Sequence, residues 1–173
     1  MNDVIKCILE RRSVKAYTAK QVSQEDLKLI LDAGIHAPSS KNQQSAKLVV
    51  VQNKDVLERL KKLGMEVSKR ESNPFYDAPT IVIVFARESD IAPVENASLV
   101  IGNMMIAAES LGVGSCWIHC GKGIFGTDEG GALRKELGVP DGYVVVGSCI
   151  LGEMAGEKPK CPARDESNIL FIK

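Results

Sequence analysis

Apolar residues recur at helical spacing from the start of the chain: Val4, Ile5, Ile8 and Leu9 share one face, and the pattern stops near Arg11. A second helix is predicted from Ser23, whose hydroxyl is placed to cap it. Asp26 follows three positions later, and Val22 is placed to staple onto Leu27. Its apolar face continues through Ile30 and Leu31 until Pro38 ends it. Lys47 to Gln52 reads as a strand, and Val56, Leu57, Leu60, Leu63 and Val67 as an amphipathic helix behind it. Thr80 to Ala86 is a β-branched run without polar alternation, which predicts a strand buried on both faces. From about Val94 to Leu111 the helical pattern is apolar nearly all round, through Leu99, Val100, Ile101, Met104, Met105 and Ile106. Such a helix belongs at the centre of a fold, and Gly112 is placed to end it. A short strand follows at Ser115 to His119, then a glycine-rich loop and a short helix ending near Leu137. Tyr143 to Leu151 is the third long strand, and the polar tail closes on Ile169, Leu170, Phe171 and Ile172, which need a surface to cover them. No repeat or linker interrupts this order, so the pattern predicts one α+β domain over residues 1–173.

Composition narrows the class. A chain of 173 residues with 45% apolar content can bury a real core, which excludes disorder. Twenty-two basic residues against twenty-two acidic ones leave no net charge, which argues against a general nucleic-acid binder. The apolar stretch from about Leu99 to Leu111 is too short and too interrupted for a membrane span, and the N-terminus shows no secretion signal. Five cysteines, at 7, 116, 120, 149 and 161, are an odd number in a chain too large to need staples. Only Cys116 and Cys120 are close, without the second ligand pair of a structural zinc site, so reduced thiols in the cytoplasm are expected.

The balanced total hides two basic islands. Arg11, Arg12, Lys15 and Lys20 lie between Glu10 and Glu25 with no acid among them, and Lys158, Lys160 and Arg164 lie between Glu157 and Asp165. A phosphate dianion is held by such groups together with hydroxyl donors such as Ser13 and Thr18, although a charge run alone reads more readily as solvated surface. The turn Ala37-Pro38-Ser39-Ser40-Lys41-Asn42-Gln43-Gln44 offers hydroxyls and carboxamides that can read the edge of a planar heterocycle, or serve as an ordinary turn. Neither a dinucleotide fingerprint after a strand nor a P-loop is present. Of the two histidines, His36 lies on the apolar-rich end of a helix and reads as structural.

Taken together these residues resemble the compact flavin-dependent nitroreductases. That family carries Arg-Arg-Ser-x-Arg/Lys-x-Phe/Tyr after its first helix, as in Arg11-Arg12-Ser13-Val14-Lys15-Ala16-Tyr17. It continues with Ala-Pro-Ser-x-x-Asn-x-Gln, as in Ala37 to Gln44, and with Ala-x-x-x-Gly-[Leu/Val]-Gly-[Ser/Thr], as in Ala108 to Ser115. A glycine-flanked strand through Val146, Gly147 and Gly152, then a basic tail from Lys158 to Arg164, completes the match over nearly the whole chain.

The resemblance implies a nitroreductase-like α+β fold with a mixed, mainly antiparallel sheet flanked by helices. It implies an intertwined homodimer whose tail, about residues 153–173, embraces the partner. FMN would lie at the interface, with NADH or NADPH as electron donor and an electron-poor small molecule, nitroaromatic or quinone, as acceptor. Arg11, Arg12 and Ser13 would meet the phosphate, joined by Lys160 and Arg164. Lys15 would approach the N1/O2 edge of the ring, where a fixed cation stabilises the charge that reduction places there. Pro38, Ser39, Ser40 and Asn42 would reach the ring or ribityl chain, partly from the neighbouring subunit. Cys116, Trp117 and Ile118, within Ser115 to His119, would pass beside the flavin, where a backbone N–H can donate to N5. The chain departs from the family in three ways. Ser45-Ala46 replace the frequent Pro-Trp, the stretch from Ala86 to Val94 leaves no room for a helical lid, and Cys116, His119 and Cys120 replace other residues. Two further readings stay open: a protein that stores or senses FMN without turnover, and a thiol or metal protein built on that Cys/His trio.

Overall fold

Six helices and four strands run along residues 1–173, all of which the computed structural model describes. In chain order they are α1 (Asp3–Glu10), α2 (Gln24–Ile35), β1 (Lys47–Val51), α3 (Lys54–Ser68), β2 (Thr80–Arg87), α4 (Pro93–Ser110), β3 (Gly114–Ile118), α5 (Gly121–Phe125), α6 (Asp128–Glu136) and β4 (Tyr143–Gly152). The strands form one sheet in the order β1-β2-β4-β3, and every adjacent pair is antiparallel.

The β-branched run of β2 lies inside, as its pattern predicts. Val82, Val84 and Ala86 face one core cluster with Val100, Ile101 and Met104 of α4 and Ile30 of α2. Ile81, Ile83 and Phe85 face the other, with Leu60 and Leu63 of α3, Ile124 of α5 and Leu133 of α6. The domain is therefore three layers, helix–sheet–helix, because a strand without polar alternation must be covered twice. α2 begins as its sequence signals: Ser23 Oγ accepts from the Asp26 N–H at 3.0 Å and donates to the Asp26 carboxylate at 2.7 Å, while Val22 and Leu27 are both buried. Asn53 caps α3 in the same way, accepting from the N–H groups of Asp55 and Val56.

One element departs from expectation. The glycine-rich stretch after β3 forms the short helix α5. Its glycines serve close approach: a Cβ on Gly121 would lie 2.9 Å from Val145 Cγ2 of β4. Helix propensity, which disfavours glycine, is overridden by that packing.

Several apolar faces have no cover within the chain. Val4, Ile5, Ile8 and Leu9 of α1, Val94 and Leu99 of α4, and Ile169 to Ile172 of the tail are exposed, Ile172 at 96%. α4 is central, as predicted, yet only on the side facing α2, β2 and β4. No helix is long and apolar enough to cross a membrane.

Candidate functional site

The arm that follows α1 is fastened along the sheet on both sides. Ser13 forms a parallel bridge with Ser115 of β3, and the Val14 N–H donates to the Ser115 carbonyl at 3.0 Å. Further on, the Thr18 N–H donates to Glu153 O at 2.9 Å, the Ala155 N–H donates to Ala16 O at 3.0 Å, and Tyr17 bridges Met154. Tyr17 is half-buried, and its hydroxyl donates to Val14 O at 2.7 Å. Burial pushes its phenol above the ordinary range. These contacts run the segment Arg11–Lys15 along the free side of β3, a neighbourhood that no local sequence signal announces.

β3 pairs with β4 only as far as Ile118 opposite Ser148, and the chain then leaves the sheet at His119 to enter α5. The notch left there is a cavity of about 280 Å³. Lys15 from the arm, Cys116 to Cys120 from the strand end, Ser68 from the end of α3 and Arg70 just beyond it, and Pro74 and Tyr76 from the following turn line it. Trp117 reaches the cavity by lying across Gly147, where a Cβ would stand 2.8 Å from its indole. Two cations, Lys15 and Arg70, face this space and no carboxylate does. On the arm just before Lys15, Nη1 of Arg11 and Nε of Arg12 are buried without a hydrogen-bond partner, while Arg12 Nη1 donates to the Leu9 and Arg11 carbonyls.

The thiols here are held neutral. Burial raises the Cys116 pKa, opposed by a hydrogen bond from Ser13 and by the charges of Lys15 and Arg11. Burial pushes Cys120 up to about 11. Burial thus disfavours the thiolate form of both, and no group of three or more His, Cys, Asp or Glu side chains is placed to hold a metal ion.

The remaining expected residues fall elsewhere. Pro38, Ser39 and Asn42 line a second cavity of about 590 Å³ with His36, Gln44, Ser45 and Asn96. No residue is common to the two cavities, and the second contains no Asp, Glu, Lys or Arg. Ser40 is fixed by its N–H, which donates to Asn96 Oδ1 at 2.9 Å. Lys41, Asn42 and Gln44 all have positive φ, so this turn is held in a conformation that side chains rarely adopt. His36 caps α2, with Nδ1 donating to the Asp32 carbonyl at 2.7 Å. Lys160 and Arg164 lie on the exposed tail without a hydrogen bond or ion pair, while neighbouring Lys158 pairs with Glu109 of α4. One chain thus assembles Lys15, Cys116, Trp117 and Ile118 around one cavity, with Arg11, Arg12 and Ser13 on the arm leading to it, and Pro38, Ser39, Ser40 and Asn42 at another. Sequence reasoning missed Arg70 and Tyr76, since nothing in Arg70 to Tyr76 marks a site.

The model of the nitroreductase family matches residues 8–75 and 66–153. An Archaeoglobus fulgidus protein, provisionally named an NADH dehydrogenase/NAD(P)H nitroreductase, is 33% identical over 172 residues, which cover 97% of this chain and 95% of the relative. A Bacillus subtilis relative named FMN reductase (NAD(P)H) is 28% identical, over 94% of this chain and 70% of its own length. Among solved structures, a nitroreductase with bound FMN from Bacteroides fragilis matches at a TM-score of 0.92 and 31% identity, covering 100% of both chains. A second with bound FMN, from Desulfitobacterium hafniense, also reaches 0.92, at 26% identity over 100% of both chains.

Proposed function

This chain belongs to the nitroreductase family, and from that premise we propose an FMN-dependent oxidoreductase that draws hydride from NADH or NADPH and delivers it to nitroaromatic, quinone or other electron-poor small molecules by a ping-pong route. The observation that carries the reading is the convergence at the end of β3. Lys15 and Cys116 to Ile118 share one cavity with no carboxylate in it, and on the arm that carries Lys15 the Arg11 guanidinium has a buried nitrogen and no hydrogen-bond partner. A buried, unpartnered guanidinium donor is costly unless an anion completes it, and a phosphate dianion does so. The residues therefore fit FMN.

FMN supplies, when bound, the hydride chemistry at N5. The chain's residues bind and tune. Arg11, Arg12 and Ser13 hold the phosphate, with Lys160 and Arg164 brought up by the tail. Lys15 places its ammonium at the N1/O2 edge and favours the reduced, negatively charged ring. The strand end at Cys116 to Ile118 offers its backbone to the ring, and Trp117 walls the cavity. No side chain with a tuned pKa is required for proton transfer, since the cofactor carries the redox steps.

Pro38, Ser39, Ser40 and Asn42 reach the flavin of a partner subunit in this reading, since one chain holds them in a separate cavity. The whole chain is one domain, residues 1–173, in a homodimer whose tail from about residue 153 to 173 crosses to the partner. The uncovered apolar faces of α1, α4 and the tail support this. The five unpaired thiols suit the cytoplasm.

The test is spectroscopic. Purified protein reconstituted with FMN is expected to be yellow, to bleach anaerobically with NADH or NADPH, and to recover its colour on adding a quinone or nitroaromatic. Colour without bleaching would leave only flavin storage or sensing. No colour after reconstitution would remove the flavin reading altogether.

A further inference from the structure

We propose that Tyr76 is a positioning residue for Lys15: its ring face holds the Lys15 ammonium within the β3-end cavity and thereby sets how readily the bound flavin is reduced. This rests on the reading of Lys15 at the N1/O2 edge given above. Lys15 Nζ lies 5.9 Å from the centroid of the Tyr76 ring, within cation–π range. Lys15 is exposed and makes no hydrogen bond or ion pair, and Arg70 in the same cavity repels it. The ring is the one attractive electrostatic contact that this lysine has. Nor is the Tyr76 hydroxyl bonded to anything, so what the residue contributes is the π face.

The backbone around Tyr76 is held in place at a cost. Tyr76 and Asp77 have φ of 53° and 54°, two successive side-chain-bearing residues in the left-handed region. For a bulky residue this is a strained state that persists only where its surroundings impose it. Here they do. The Tyr76 N–H donates to Asn73 O at 3.1 Å, the Phe75 N–H to Asn73 Oδ1 at 2.9 Å, and Asn73 Nδ2 to Asp77 Oδ1 at 2.9 Å. Phe75 is buried in the second core cluster, and Pro74 sits so close to α3 that a Cβ on Gly64 would lie 2.6 Å from its ring. With Phe75 drawn into the core, the left-handed turn is what carries the next side chain back toward Lys15.

The experiment uses FMN-loaded protein, following reduction by NADH or NADPH in stopped flow and measuring the flavin potential against a redox dye. Tyr76→Phe keeps the ring face and is expected to behave as the parent. Tyr76→Leu should retain FMN yet slow reduction by about two- to fivefold, the range an exposed cation–π contact spans. Its potential should fall, a tenfold change in equilibrium corresponding to about 30 mV for a two-electron couple. Because Tyr76 acts through Lys15, the double variant Lys15→Met/Tyr76→Leu should be no slower than Lys15→Met alone. If Tyr76→Leu fails to fold, Tyr76→Gly, which the positive φ favours, replaces it with the same expectation. The proposal is overturned if Tyr76→Leu reduces normally, if it loses FMN, if Tyr76→Phe is equally impaired, or if the double variant shows additive loss. A Lys15→Met variant with normal kinetics and full FMN would instead remove the underlying reading of Lys15.

Discussion

Replacing Arg11 with Met is expected to move two measurable quantities in opposite directions. The stem volume is kept, but the guanidinium is lost. In the free protein, Nη1 of Arg11 is buried and has no hydrogen-bond partner. A donor that has given up water without gaining a partner costs about 1–3 kcal/mol. Met removes that cost, so the flavin-free protein should gain about 1 kcal/mol at the lower end of this range. For a chain of this size that is a rise in Tm of about 2–4 °C. With FMN the sign reverses, because in the proposed binding mode the variant forfeits a charge-assisted hydrogen bond to the phosphate worth about 1.5–3 kcal/mol. Affinity should fall by roughly ten- to a hundredfold. Thermal unfolding of flavin-free protein gives the first quantity, and quenching of flavin fluorescence on titration gives the second. Wild-type FMN affinity in Arg11→Met would refute the phosphate assignment. A marked loss of stability in the flavin-free variant would show that the guanidinium supports the fold itself.

Other outcomes follow from the same geometry. Asn53→Ala removes a side-chain oxygen that accepts from two N–H groups of α3, and thermal unfolding should show a loss of about 1 kcal/mol. Gly147→Val pushes a branched side chain into the Trp117 indole; a cost of about 1–3 kcal/mol is expected, with weaker FMN binding as the check that Trp117 walls the site. Burial lifts Cys120 from 9.0 to about 11, so the folded chain keeps a proton that the unfolded chain releases. Stability present below pH 9 is therefore lost as pH rises toward 11, and Cys120→Ala should flatten that window in denaturant titrations. Sedimentation of FMN-loaded protein should give a dimer, and removal of Ile169 to Ile172 should shift it toward monomer. A tail-less protein that stays dimeric at micromolar concentration would contradict the crossing.

What the sequence revealed of the fold divides along physical lines. β2 was legible because burial on both faces leaves a run with no polar alternation, and α2 because its cap, staple and terminating proline are local. α5 was not, since the glycines that let it sit against Val145 and Val67 also erase its helical signature. The site shows the same division. Arg11 to Lys15 stood out as a basic run, but its position beside Ser115 depends on pairing about a hundred residues away in the chain. Tyr76 left no trace at all. Its proposed role follows from a left-handed turn imposed by the burial of Phe75 and Pro74, and side-chain type does not encode that.

The division of the expected flavin contacts between two cavities has a genetic consequence. In the proposed dimer each flavin takes the Arg11–Lys15 group from one subunit and the Pro38–Asn42 group from the other. Two inactive chains, one altered at Lys15 and one at Asn42, then carry complementary lesions. When they pair, both lesions fall on the same flavin and the second flavin meets intact residues only. Random reassortment of equal amounts makes half of the dimers mixed, so about a quarter of all sites should regain activity. Co-expression of two dead alleles would therefore restore turnover that neither shows alone, and the recovered fraction would count how many subunits build each site.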